Sequence, residues 1–444
     1  MINSETNKFS IAQKLKQSVT LKIVAILFIT LLLMIPIMSI RDLVRERSGL
    51  KTQIENDVAK AYGQKQTIIA PVLKIPYTHT VTNSEGKKFT SEGLLTVTPE
   101  KLSVDGDLQS EKRKRSIYEV VVYRSQLNMT GEFKLPDLDK WANDNYRFNY
   151  EHAYLSMGIS DNNGLYEDCI IKVDNEDYEL SPGLTQDELM QNSLSTKAID
   201  LMTKSQFTFS LDLKIKGTKS IQFVPVAKNS TVKLESPWLS PSFVGSNIPQ
   251  TYDITDEGFE AEWTTNQYGR SYPHFWFKAN YNFMNIQNAF GVTLIEPVDG
   301  YAKNARSSKY SLLVISLTFA VFFFFEIMYK KNIHAIQYVM IGFSLATFYL
   351  LLISLTEHIG FNKAYLGSAT ATILLIVSYT QFIIQSKKAV GILLFLLGAL
   401  FSYIFIILQL EEFALLAGSI GLFVILSMVM LLSRNIDWYN LNKS

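Results

Sequence analysis

Six long apolar stretches are distributed very unevenly along this chain of 444 residues. One, Ile23–Ile40, stands alone near the start and contains no charged residue; five more, at about 310–329, 335–355, 364–385, 389–408 and 413–432, crowd the C-terminal third, with Glu326 the one charged residue inside them. About 20 apolar residues, rising 1.5 Å each, cross a hydrocarbon core, so each stretch reads as a membrane-spanning helix. Roughly 270 polar, strand-rich residues lie between the lone stretch and the cluster. The average composition, 48% hydrophobic with a net charge of +1, conceals this division because it blends a water-facing domain with six spans.

Short loops rich in Lys and Arg mark the cytoplasmic side. Lys8, Lys14, Lys16 and Lys22 precede the first span; Lys330, Lys331 and His334 follow the second, Lys387 and Lys388 follow the fourth, and Arg434 begins the tail. The alternate turns are poorer: Glu357–Lys363 has one lysine, and Gln409-Leu410-Glu411-Glu412 has none. The pattern predicts both termini in the cytoplasm and residues 41–309 outside. Arg41, Arg45, Arg47, Arg306 and Lys309 lie against the trend, but they flank a long domain, and long domains translocate largely regardless of charge.

The first stretch is too long for the apolar region of a signal peptide and lacks a small-x-small cleavage site, so it reads as an uncleaved anchor, kinked near Pro36. Leu43, Leu50, Ile54, Val58 and Ala61 then recur at helical spacing up to Gly63, which predicts a helical extension over 41–62. With a single cysteine, Cys169, the outside domain has no internal disulfide, and the thiol reads as a small buried residue.

In Gln206–Lys216, Phe207, Phe209, Leu211, Leu213 and Ile215 alternate with polar residues, the period-2 pattern of a half-buried strand. Shorter runs of the same kind fall at Ile68–Ile75, Leu94–Val97, Ile117–Tyr123, Asn128–Phe133, Ile170–Val173, Ile221–Val226, Thr231–Leu234, Phe259–Trp263 and Gly291–Ile295. Close turn signals between them predict an antiparallel sandwich or twisted barrel. Leu138–Tyr146 and Gln186–Lys204 read as helical interludes.

Recognisable chemistry is scarce. The chain has no phosphate-binding glycine loop, no Gly-x-Ser-x-Gly elbow and no His-Glu-x-x-His or Cys-x-x-Cys pair. Three of five histidines, His79, His152 and His274, are scattered through the outside domain, so no metal or other cofactor is expected. No basic run suggests nucleic acid. Ionisable groups in or beside the spans are the functional candidates, because they are costly there. Glu326 sits one turn before Lys330, a spacing that also suits simple pairing at a helix end. Glu357 and His358 close the third span, with Asn362 just beyond; they read either as a proton-relay or ligand-positioning pair facing the outer domain, or as a polar helix end that Gly360 terminates. Ala364, Ser368 and Thr372 on the fourth span, and Gly391 and Gly398 on the fifth, read as packing stripes.

Several segments resemble one family. These are Ile333-His334-Ala335-Ile336-Gln337-Tyr338, Phe348-Tyr349-Leu350-Leu351-Leu352, Ser354-Leu355-Thr356-Glu357-His358-Ile359-Gly360-Phe361 with Ala364-Tyr365-Leu366, and Pro297-Val298-Asp299-Gly300-Tyr301 with Arg306-Ser307-Ser308-Lys309-Tyr310. Outside the spans, Ser236-Pro237-Trp238 with Pro241-Ser242-Phe243-Val244-Gly245, Gly158-Ile159-Ser160-Asp161, Ile117-Tyr118-Glu119, and Ala70-Pro71-Val72-Leu73 with Ile75-Pro76-Tyr77 continue it in order. Together they closely resemble the CreD family of bacterial inner-membrane proteins. Pro71 after Ala70, where Gly is expected, and Leu239-Ser240, in place of Pro-His, are the departures. The resemblance implies a role in cell-envelope integrity and stress response, expression under a sensor-kinase and response-regulator system, and altered tolerance of colicins and β-lactams. No catalytic reaction is established for such proteins, so the resemblance transfers no catalytic residue.

The expected architecture is a polytopic α-helical membrane protein of six transmembrane helices, one N-terminal and five C-terminal, with a large β-rich, sandwich-like periplasmic domain inserted between helices 1 and 2. The expected segments are a cytoplasmic N-terminus (1–22), the first helix (23–40), the periplasmic domain (41–309), a five-helix membrane domain (310–432) and a cytoplasmic tail (433–444). The expected function is non-enzymatic: binding an envelope protein, glycan or lipid through the periplasmic domain, with membrane lipids around the helices. A transporter or lipid flippase is one alternative, and a membrane-embedded enzyme using Glu357 and His358 is another.

Overall fold

The computed structural model describes residues 19–143, 145–183, 192–270, 272–277, 288–296, 300–329, 333–410 and 413–434. The chain divides into two compact units, Thr52–Pro297 on one hand and Met1–Lys51 with Val298–Ser444 on the other. Helix α1, Val19–Tyr62, is 44 residues long and continues unbroken through Pro36. Gly63, at φ +147°, ends it; a Cβ there would come within 2.7 Å of the Lys216 carbonyl oxygen, so conformation and space both demand glycine.

In the unit Thr52–Pro297, eighteen strands among the described residues form two sheets. Eight make the first sheet, in the order Thr251–Thr255, Gly258–Asn266, Asn229–Ser236, Lys101–Arg115, Tyr118–Lys134, Gln206–Thr218, Ile170–Val173 and Glu176–Glu179. Ten make the second around Gln66–Thr82, whose 17 residues pair with four other strands. Each sheet is antiparallel except for one pair, Asn229–Ser236 beside Lys101–Arg115 in the first and Ser220–Val224 beside Gln66–Thr82 in the second. Side chains from both sheets, among them Phe133, Leu213 and Trp263 from one and Ile69, Leu73 and Phe290 from the other, form a single buried core. Phe207, Phe209, Leu211, Leu213 and Ile215 all face it, as the alternation predicts. Burying each contributes roughly 1.5–3 kcal/mol.

Details differ from the sequence reading. Ile117–Tyr123 and Asn128–Phe133 fall largely in one 17-residue strand, Tyr118–Lys134. Lys101–Arg115 is a strand that the sequence reading lacks. Helix α2 covers only Asp139–Asn143, and Tyr146 already begins a strand. The expected helix over Gln186–Lys204 is corrected: Ser193–Ser195 is a strand on the edge of Tyr154–Ile159, and residues 186–191 lie outside the described residues.

The second unit contains α3 (Gly300–Lys309), α4 (Ser311–Tyr329), α5 (Ala335–Ile359), α6 (Phe361–Ile384), α7 (Lys387–Gln409) and α8 (Ala414–Ser433). Helices α1, α4, α5, α6 and α7 are long and apolar enough to cross a membrane; the apolar stretch of α8, Leu415–Leu431, is shorter. The His334 side chain and Gln337 close a capping box at the start of α5, and Gly360, at φ +76°, separates α5 from α6. Leu33 and Ile37 of α1 join Phe319, Leu345, Leu352, Ala364 and Leu393 in a second core. Where α1 meets α5, a side chain at Gly342 would collide with Leu33. Ala364, Ser368 and Thr372 are buried as a packing stripe. Gly391 and Gly398 are not one: a Cβ at either meets nothing within 4 Å.

Candidate functional site: a buried polar helix face

Helix α3 is polar, yet it packs against α4, α5, α6 and α7. Its inward face carries Lys303, Asn304, Ser307 and Ser308, only 7%, 2%, 1% and 3% exposed. Residues three and four apart adjoin on a helix, so Ser307 neighbours both Lys303 and Asn304. Lys303 donates from Nζ to Gln409 Oε1 at 2.7 Å, and its ammonium lies 5.8 Å from the Phe361 ring centroid. Gln409 in turn donates from Nε2 to Asn362 Oδ1 at 2.6 Å. From α1, Arg41 donates through Nη2 to the Ser308 carbonyl oxygen at 2.9 Å and through Nε to the same oxygen at 3.2 Å. Its Nη2 also reaches Ser311 Oγ at 3.4 Å.

On the same helix face, Asn304 Oδ1 and Nδ2 and Ser307 Oγ have no hydrogen-bond partner among the described residues, and neither has Tyr349 Oη on α5. Arg41 is within electrostatic reach of the Tyr349 hydroxyl. Each unpaired buried group costs about 1–3 kcal/mol, which marks the cluster as poorly suited to packing alone.

The four candidate residues separate. Glu357, its side chain 11% exposed, accepts from Tyr301 Oη at 3.1 Å and lies 3.8 Å from Arg47 Nε. Asn362 joins the same end of the bundle through Gln409. His358 is exposed, since successive helical residues point about 100° apart, so Glu357 and His358 are not brought together. Glu326 belongs to the opposite end. It is paired with Lys22 of α1 and accepts from Ile333 N–H at 3.2 Å and from Tyr338 Oη at 3.4 Å. Lys330, its expected partner, lies outside the described residues. Lys303 and Asn304 escaped the sequence reading because a charged residue on a polar helix looks solvent-facing.

A second feature lies in the β-rich unit. Thr264, Thr231, Ser103, Thr130 and Ser210 stand in register across five neighbouring strands of the eight-stranded sheet. They line an open groove of about 610 Å³ on the sheet's outer face, with Lys101–Glu132 at 3.5 Å along one margin. Asp174, also in the lining, bonds Lys204 Nζ at 2.7 Å. That bond, with the Thr208 N–H, holds the Asp174 carboxyl below the usual carboxylate range. Cys169 is buried in the same unit, and burial, aided by Asp168, pushes its thiol up to about 11. Among the described residues no group of His, Cys, Asp and Glu is placed to hold a metal ion.

The chain matches the family model described as Inner membrane protein CreD over residues 18–439. It is also similar to Inner membrane protein CreD of Escherichia coli (strain K12), 29% identical over 432 residues that cover 96% of this chain and 95% of that relative. The match takes in the apolar helices, the β-rich unit and α3 alike. The chain therefore belongs to the CreD family and is a multi-pass inner membrane protein.

Proposed function

We propose that this chain helps maintain the cell envelope, with its β-rich unit in the periplasm binding an envelope component and both termini in the cytoplasm. The orientation rests on Lys22, Lys387, Lys388 and Arg434 on one side of the spans, against turns poorer in Lys and Arg on the other. The observation that carries the binding role is the groove with its row of five hydroxyls. Its volume lies within the roughly 300–1,000 Å³ of ordinary ligand sites, and each hydroxyl both donates and accepts. Such a surface suits a polar partner such as a glycan or a peptide backbone. Transport of a polar or lipid solute is a second reading, favoured by the unpartnered polar atoms beside α3. An enzyme built on Glu357 and His358 has less support, since the two side chains point apart.

The test is complementation of a deletion strain under envelope stress by a chain whose groove is filled, Ser103→Leu with Thr231→Leu. Both positions are on the outer face, so protein abundance should hold while rescue is lost. Full rescue at normal abundance removes the groove from the function. Export-dependent reporters should be active when fused near 200 or at 409–412 and inactive after 434; activity after 434 reverses the orientation.

A further inference from the structure

We propose that the buried face of α3 is a binding site for a phosphate group. Three observations converge there. Lys303, 7% exposed, has a neutral amide and an aromatic ring as its partners, and Arg41 has a carbonyl and a hydroxyl. Neither cation forms an ion pair among the described residues, and the nearby carboxylate of Glu357 is taken by Arg47 and Tyr301. A cation buried against protein without a counter-ion is costly, and so calls for one.

Next, Asn304 and Ser307 are almost wholly buried and have no partner through Asn304 Oδ1, Asn304 Nδ2 or Ser307 Oγ. Ser307 lies one helical turn from both Lys303 and Asn304, so these unspent groups share the buried side of α3 with an ammonium that itself has donors to spare: one of its three N–H groups is committed to Gln409.

The third is the chemistry of that donor set. Amide, hydroxyl, ammonium and guanidinium groups supply more donors, from more directions, than the two oxygens of one planar carboxylate accept. A phosphate group offers oxygens in a tetrahedral array, forms strong charge-assisted bonds with Lys and Arg, and in its protonated form can donate to Asn304 Oδ1. A purely structural role predicts the reverse pattern, with apolar residues at 304 and 307, because buried polar atoms left unpaired weaken a fold.

A phospholipid headgroup and free phosphate share this chemistry, and one experiment separates them. The full-length protein, stripped of lipid in an uncharged detergent, is unfolded thermally with inorganic phosphate, with micelles containing phosphatidic acid, and with micelles containing diacylglycerol, which has the chains but not the phosphate. At a hundredfold excess over Kd, an occupied site should raise Tm by about 5–10 °C. A shift with phosphatidic acid alone identifies a headgroup held jointly with its chains; a shift with inorganic phosphate as well shows that the phosphate group suffices. Asn304→Leu and Ser307→Ala, which remove unpartnered buried polar atoms, should leave the stripped protein at least as stable as before and weaken the phosphate-dependent response at least tenfold. Lys303→Met should abolish that response. Three results overturn the proposal: no shift with either phosphate probe, an equal shift with diacylglycerol, or an undiminished response in Asn304→Leu and Ser307→Ala.

Discussion

Glu326 and Lys22 tie the first helix to the fourth across 304 residues of sequence, and removing that tie has a calculable cost. Glu326 is 7% exposed and Lys22 28%, so the pair is only partly wetted. Two unit charges about 3 Å apart at an effective dielectric of 20 attract by about 5 kcal/mol, an upper bound that the exposed side of Lys22 reduces to roughly 1–3 kcal/mol. Glu326→Gln removes this attraction but keeps an oxygen for the Ile333 N–H. Glu326→Ala also leaves that buried N–H unpaired, for a total of about 3–5 kcal/mol. A unit of roughly 200 residues loses about 2–4 °C of Tm per kcal/mol, so Glu326→Ala should fall by about 6–20 °C and Glu326→Gln by about 2–12 °C. The assay is thermal unfolding of the full-length protein in detergent, run as a cycle with Lys22→Met. The double variant Lys22→Met/Glu326→Gln should be less destabilised than the two single effects added, by about 1–3 kcal/mol. Additivity to within about 0.5 kcal/mol would refute a direct pair. A cost that vanishes at 1 M salt, where screening acts over about 3 Å, would refute its burial.

Other outcomes follow from the same contacts. Glu357→Gln should lower Tm by a few degrees through loss of its charge toward Arg47, whereas His358→Asn, at an exposed position, should change neither Tm nor abundance; equal effects would restore the two as a pair. Gly342→Leu should lower Tm sharply by forcing Leu33 away, at about 1–3 kcal/mol or more, while Gly391→Leu should be silent. A chain of residues 64–296 should fold without detergent to a β-dominated circular dichroism spectrum. In that fragment Cys169, with its thiol pushed up to about 11, should resist alkylation at neutral pH until the protein is denatured.

What could be read from the sequence depended on whether the local pattern and the final environment agreed. Phe207 to Ile215 alternate because one side of their strand is core, and the structure buries all five. Leu102, Val104 and Leu108 in Lys101–Arg115 also alternate and are buried, but Asp105, Gly106 and Asp107 break the run and its Glu111–Arg115 end is charged, so the local pattern does not mark a strand there. The pairing of Asn229–Ser236 with Lys101–Asp107 joins segments more than 120 residues apart, and nothing local encodes it. At the candidate site the usual rule is inverted. The inward face of α3 is its polar face, so Lys303 and Asn304 resemble ordinary surface residues until α5, α6 and α7 are placed around them. Glu357 and His358 were legible as costly residues at a helix end, but their opposite directions follow from a single step of helical rotation that adjacency in sequence conceals.

The distribution of the helical unit over both ends of the chain dictates an order of events during synthesis. α1 emerges first, with Leu33 and Lys22 awaiting Gly342 and Glu326. At about 5–20 residues per second, translation reaches position 326 roughly 15–60 s after position 22. Through that interval the first helix must reside in the bilayer without its partners, its lysine unneutralised at one end, while the strands of the β-rich unit are made and begin to pair. The unbroken apolar run Ile23–Ile40 is what lets it do so: the segment is hydrophobic enough to be held by lipid alone. Its later capture by α4 and α5 is then an association between helices already inserted, governed by the fit of Leu33 over Gly342 and by the closing of the ion pair rather than by further removal of apolar surface from water.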